Sequence, residues 1–233
     1  MKGRSKCLTC GKTLHWYETI PLFSYLFLGG KCLGCNAKIS AQYPLVEFVT
    51  GALFCGVFFV EGFSSLLPVY FFVTCLLVIM AFYDFKHQII PNAMVFLFDA
   101  LAFLILIYTH GFSNLFSGAG LYDFLAGPIL FSFFAVLFFG SGGRAMGFGD
   151  AKLALGVGWL LGFSGGIFAI IMAFWIGAAW SLLIIALEKL HLSKLKLGMR
   201  SEIPFAPFII IGIYLQLFTM WNFLTIINWL TFK

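Results

Sequence analysis

The chain has 233 residues, of which 62% are hydrophobic, 19% aromatic and only 10% charged. A soluble domain of this size presents far more charge to water, so composition excludes one. A formal charge of +5 and a mean hydropathy of +1.03 leave a protein dissolved mostly in lipid.

Residues 1–44 are the polar exception. Cys7-Leu8-Thr9-Cys10 and Cys32-Leu33-Gly34-Cys35 form two CxxC knuckles with 21 residues between them. Four thiolates so arranged can close a tetrahedral zinc site, each pair chelating from a tight turn. The gap is slightly longer than is usual for such ribbons. A redox CxxC is the alternative, but two matched knuckles favour metal, and four cysteines leave no open coordination position, so the expected role is structural. Cys55 and Cys75 lie in apolar stretches and read as small buried hydrophobes.

From about residue 45 the chain becomes a series of apolar runs: 45–62, 66–83, 92–110, 122–140, 151–164, 166–188 and 205–230. Each is long enough, or nearly so, to cross about 30 Å of hydrocarbon. They must be helices, since hydrocarbon offers backbone amides no other partner and the alternation of a barrel strand is missing. The fifth run, with Gly156, Gly158 and Gly162, is expected to be tilted, broken or tightly packed, and Gly165-Gly166 to turn the chain into the sixth. The predicted fold is an all-α polytopic membrane bundle of about seven transmembrane helices over residues 45–233, preceded by a small zinc-ribbon-like cytoplasmic four-cysteine unit over residues 1–44.

With the N-terminus in the cytoplasm, Lys2, Arg4, Lys6, Lys12, Lys31, Lys38, Lys86, Arg144, Lys152, Lys189, Lys194, Lys196 and Arg200 all fall inside, and only Lys233 outside. This asymmetry fixes the orientation and accounts for the basic balance without a nucleic-acid partner. It also brings two aspartates to one face: Asp84 at the end of the second run, and Asp150 in Gly147-Phe148-Gly149-Asp150 at the start of the fifth. A carboxylate beside lipid is costly unless partnered, hydrated or used. Two such groups within reach share one proton near neutral pH: the ionised partner takes a proton from water, the other donates to a peptide carbonyl. Helix ends suggest Asp150 as the ionised partner and Asp84 as the resting acid. The bland readings are an N-cap for Asp150 and an ion pair with Lys86 for Asp84. Gly147 and Gly149 are expected to admit close backbone approach or positive φ. Asp99 lies deeper and should face the bundle; solvation suffices for Asp123 and Glu61.

Several stretches together resemble the type IV prepilin leader peptidases of bacteria. They are His15 to Tyr25, Gly30-Lys31-Cys32, Ile39-Ser40, Tyr43-Pro44-Leu45-Val46-Glu47, Thr50-Gly51, Asp84 through Ile90-Pro91-Asn92, Gly147 to Asp150 with Lys152, and Ile203 to Phe208. The resemblance runs almost end to end. It implies a membrane aspartic peptidase of the bacterial cytoplasmic (inner) membrane with Asp84 and Asp150 as its catalytic pair. Its partners would be prepilins or pseudopilins, each with an apolar N-terminal helix, and membrane lipid. It further implies methylation of the new N-terminus with S-adenosylmethionine, associated with the cysteine unit and the region of Glu47. An interfacial Glu47 paired with the basic unit is the plainer alternative, and the chain carries no nucleotide fingerprint. Family members commonly begin with a further apolar span, and Ala206 stands where they often have Gly. A proton-coupled transporter or a non-enzymatic assembly factor are the competing readings; the first should show related halves, and no internal repeat is present.

Overall fold

The computed structural model describes residues 5–144, 146–189 and 204–220. Among these there is no extended strand, only isolated bridges, and five helices are long and apolar enough to cross a membrane. The chain divides into two compact units, Met1–Gly56 and Val57–Lys233.

The first unit is built on two matched knuckles. Cys7 N–H donates to Lys12 O and Gly11 N–H to Cys7 O; twenty-five residues later, Cys32 N–H donates to Ala37 O and Asn36 N–H to Cys32 O. The bridges Lys6–Thr13 and Lys31–Lys38 close the two knuckles in the same register. Each turn needs a left-handed residue after its second cysteine, supplied by Gly11 and by Asn36, which tolerate that conformation. Between the knuckles lie a short 3-10 turn, Trp16–Thr19, and helix α1, Phe23–Phe27. Glu18 fixes the turn: its carboxylate accepts the His15 N–H at 2.7 Å and pairs with Lys12 at 3.0 Å. The His15 amide and the Lys12 ammonium hold that carboxyl below its ordinary range. Helix α2, Gln42–Glu61, follows.

The second unit contains α3 (Leu67–His87), α4 (Asn92–His110), α5 (Gly118–Ser141), α6 (Phe148–Lys189) and α7 (Ala206–Thr219). Helix α6 packs on α4, α5 and α7, and α3 packs on α4 and α7. Of the four apolar runs expected up to residue 140, the third appears with the bounds expected and the other three with shifted edges. The fifth and sixth form α6, whose break falls at Gly162 (φ 69°, ψ −177°) rather than at Gly165-Gly166, both helical. The chain folds back there: a Cβ on Gly166 would lie 3.4 Å from the Gly158 Cα, although eight residues of continuous helix would separate them by about 12 Å. The reversal has a physical anchor. Asp123 of α5 accepts the Phe163 N–H at 2.8 Å, capping the second arm, and pairs with His110 at 3.0 Å. Asp123 is therefore a structural cap, not a merely solvated residue. The seventh run is described only as α7; residues 221–230 of that expected span, like Lys2, Arg4, Lys194, Lys196, Arg200, Ile203 and Lys233, lie outside the described residues.

Small residues set the helix separations, as expected where lipid supplies no hydrophobic drive between helices. A Cβ on Gly158 would meet Gly127 N at 2.5 Å and the Ala126 backbone, and one on Gly212 would collide with Ala169 O. Pro128 inside α5 removes the amide that would bond Phe124 O. The Trp159 indole N–H of α6 takes that carbonyl at 3.0 Å, so the freed acceptor is satisfied across the interface.

Candidate active site

Asp84 and Asp150 arrive from opposite helix ends. Asp84 sits in the last turn of α3, 5% exposed between exposed Tyr83 and Phe85; Lys86 is exposed as well. Its carboxylate lies against the backbone amide of Ala206, the first residue of α7, and its Oδ2 has no hydrogen-bond partner among the described residues. Asp150 is the third residue of α6 and 6% exposed. It is not the N-cap: Gly147 precedes the helix, and the Asp150 side chain reaches back to the Gly147 amide, as the acidic residue of a capping box does. The two carboxyl groups are close enough to repel when both are charged. The expected contrast in helix polarity is only half present. Asp84 ends α3 but also meets the amide-rich start of α7, so helix polarity alone does not make it the acid.

Neighbouring residues pin the two helix ends. Neither Gly147 nor Gly149 has positive φ. Gly149 is tightly placed for a different reason: a Cβ there would lie 3.2 Å from the side chain of Ile90, which is buried just before the start of α4. A Cβ on Gly147 would find Asp150 Oδ2 at 3.6 Å, an ordinary contact. Lys152 donates to Asn92 Oδ1 at 2.8 Å and lies 5.3–5.4 Å from the ring centroids of Phe148 and Phe96. It ties the first turn of α6 to the first residue of α4. Asp99 faces the bundle as expected, 5% exposed, in space that a Cβ on Gly156 would occupy. Its oxygens approach the Gly156 backbone without closing a hydrogen bond of good geometry.

In the first unit the sulfurs of Cys7, Cys10, Cys32 and Cys35 all lie within 4.8 Å of one another, with Cys7 and Cys35 at 3.9 Å. Tetrahedral bonds of about 2.3 Å place sulfurs about 3.8 Å apart, so this donor set fits zinc with small adjustment. The Cys7 thiol is drawn down to about 6 by the backbone amides of Cys10 and Thr9. The Cys35 thiol, despite the Ala37 amide, is pushed up to about 11 by burial and by the neighbouring thiols. Zinc bound here would be held by all four thiolates and would supply folding energy rather than catalysis.

Beside the cluster is a cleft of about 730 Å³ whose lining includes Cys7, Glu18, Tyr25, Tyr43 and Glu47. Glu47 Oε2 accepts the Leu22 N–H at 2.9 Å. Leu22 has φ 61°, a strained conformation for a branched residue, and this bond helps hold it. The carboxylate thus positions a backbone turn at the rim of the cleft, and among the described residues it forms no ion pair.

Five long apolar helices and a cysteine cluster mark a polytopic membrane protein with a metal-type knuckle unit. Residues 1–60 match the family described as "Bacterial Peptidase A24 N-terminal domain", and residues 71–182 match the "Type IV leader peptidase family". Three similar proteins, from Aeromonas hydrophila, Bacillus subtilis and Myxococcus xanthus, are each named "Prepilin leader peptidase/N-methyltransferase". The first is 32% identical over 93% of this chain and 72% of its own length. The second is 34% identical over 90% and 79%, and the third 44% identical over 40% and 28%. No solved structure matches significantly. The chain belongs to the type IV leader peptidase family.

Proposed function

We propose that this chain cleaves the leader peptide of type IV prepilins and pseudopilins with Asp84 and Asp150, and methylates the new N-terminus with S-adenosylmethionine. What supports the peptidase reading is two buried carboxyls, one with an unpartnered oxygen, at the end of α3 and the start of α6. Sharing one proton, the pair supplies both roles hydrolysis needs. The ionised carboxylate takes a proton from water as its oxygen adds to the scissile carbonyl, and the protonated partner donates to the carbonyl oxygen. The tetrahedral adduct then collapses, its C–N bond breaks, and the leaving amine takes up a proton. The substrate's apolar helix docks laterally and sets the scissile bond at the depth of the pair. The positive-inside distribution of lysines and arginines supports a seven-crossing topology with this end, and the N-terminus, on the cytoplasmic side of the inner membrane.

For methylation, the cleft beside Glu47 has the size for a nucleoside cofactor; Tyr25 and Tyr43 would offer it stacking surfaces, and the Glu47 carboxylate would offer a negative charge to a sulfonium cation. Glu47→Gln keeps an acceptor for Leu22 and removes the charge. It should lower methylation at least about tenfold while cleavage stays within about twofold. Equal loss of both activities would refute a cofactor role.

Zinc is proposed for the cysteine cluster. The purified chain should carry about one zinc, measured by elemental mass spectrometry, with Cys32→Ser losing it and Cys55→Ser or Cys75→Ser retaining it. Zinc unchanged by Cys32→Ser would exclude the site. The whole function is tested by co-expressing a prepilin with this chain, following its gel mobility and determining the mature N-terminus by mass spectrometry. A faster band bearing a methylated N-terminal residue is expected; an uncleaved precursor would favour an assembly or transport role.

A further inference from the structure

Helix α1 presents an unusual face for a unit outside the membrane. Its Ser24 and Tyr25, with Leu28 just beyond it, turn inward and line the cleft. On the other side Phe23, Leu26 and Phe27, at i, i+3 and i+4, are 62%, 73% and 86% exposed. The outward face of the helix is therefore entirely apolar. In water such a patch is a liability, and its usual meaning is a surface that meets something apolar. The preceding Trp16, Tyr17 and Ile20 are exposed too.

The position of α1 identifies what that is. The Leu22 N–H is held by Glu47 Oε2 at 2.9 Å, and Glu47 lies five residues into α2, about 7.5 Å along its axis. Helix α2 has 20 residues and spans about 30 Å, the thickness of the hydrocarbon, so its first turns sit at the boundary between headgroups and acyl chains. The bond to Glu47 therefore puts the start of α1 at that depth. At the same level α2 exposes Leu45 and Phe48. The exposed apolar surface of α1 continues that of a membrane span.

Charge agrees. Six basic residues and one acidic residue, Glu18, precede residue 45, and Glu18 is already paired with Lys12. Lys6, Lys31 and Lys38 are exposed. Apolar and aromatic side chains at the acyl boundary, with lysines nearby for anionic headgroups, form the composition of an interfacial anchor.

We infer that α1 is an interfacial membrane anchor: Phe23, Leu26 and Phe27 insert into an anionic bilayer surface and hold the cysteine unit and its cleft against it. The left-handed glycines Gly29 and Gly30 then return the chain to the second knuckle, with Gly30 tucked under the Tyr25 ring. The inference rests on the geometry of the first unit and on α2 as a span; it stands whether or not the cleft binds a methyl donor.

The test uses the full chain with the photoreactive residue p-benzoylphenylalanine in place of Phe27, and separately of Phe23. It is reconstituted in nanodiscs of phosphatidylcholine alone or mixed with phosphatidylglycerol. Phe59 of α2, 84% exposed, serves as the lipid-facing control. After irradiation, phospholipid adducts at both positions should reach within about threefold of the control yield, and phosphatidylglycerol should raise them at Phe27. Adducts only to a second copy or another protein, or none while Phe59 labels lipid, would overturn the anchor. Yields indifferent to phosphatidylglycerol would overturn its anionic preference. Two independent positions on one face keep the reading secure if one substitution disturbs the fold.

Discussion

Asp150→Asn and Asp84→Asn are each expected to lower leader cleavage by about 10³-fold or more, with protein level and helical content unchanged. The amide is nearly isosteric, so the loss reports proton transfer rather than packing. The carbonyl oxygen of Asn can still face the amides of Gly147 and Ala206 that lie beside the two carboxyls. What neither variant can do is share a proton between two carboxyls. The double variant should be hardly worse than either single one, because residues that act as a unit are strongly non-additive. Roughly multiplicative losses, measured as kcat/KM on a purified prepilin, would mean the two aspartates act separately and would remove the pair. Since the shared proton belongs to both groups, cleavage should show a bell-shaped pH profile that each Asn variant flattens on one side.

Much of this arrangement was legible in the sequence. Apolar runs declare membrane helices because hydrocarbon permits nothing else. Asp84 and Asp150 stood out because acidic residues are scarce here and expensive beside lipid. Contacts between distant residues were not legible. The turn in the fifth and sixth runs was expected at Gly165-Gly166 since paired glycines are the strongest local signal. The structure puts it at Gly162, where Asp123, 40 residues before Phe163, caps the emerging arm. No local pattern marks a cap supplied by another helix. Trp159 is similar: only folding shows its indole meeting the carbonyl that Pro128 leaves free. The polarity assigned to Asp84 from its own helix was incomplete for the same reason, because Ala206 brings the start of α7 against it.

The two glycines of Gly147-Phe148-Gly149-Asp150 make a second prediction with a large effect, since they are alike in sequence and unlike in space. Gly149→Ala places a methyl 3.2 Å from the Ile90 Cβ and Cδ1, inside the range where one side must yield. Ile90 is 8% exposed and joined through Pro91 to the start of α4, where Asn92 is bonded to Lys152. The cheaper movement is of the first turn of α6, which carries Asp150 one residue away. A shift of a few tenths of an ångström in a reacting group costs about tenfold, and up to about 100-fold where it approaches 1 Å. Gly149→Ala should therefore lower kcat by about 10- to 100-fold with KM nearly unchanged, because the substrate helix still docks. Gly147→Ala, whose methyl meets only an ordinary contact, should stay within about threefold. Shortening the obstructing side chain gives the decisive comparison. Ile90→Gly, which removes the Cβ as well as the rest of the side chain, costs some packing alone, but combined with Gly149→Ala it should restore at least about tenfold of the lost kcat, a coupling expected only of residues in contact. If the double variant were as slow as Gly149→Ala, the role of Gly149 would lie in backbone flexibility, and the steric account of this motif would fail.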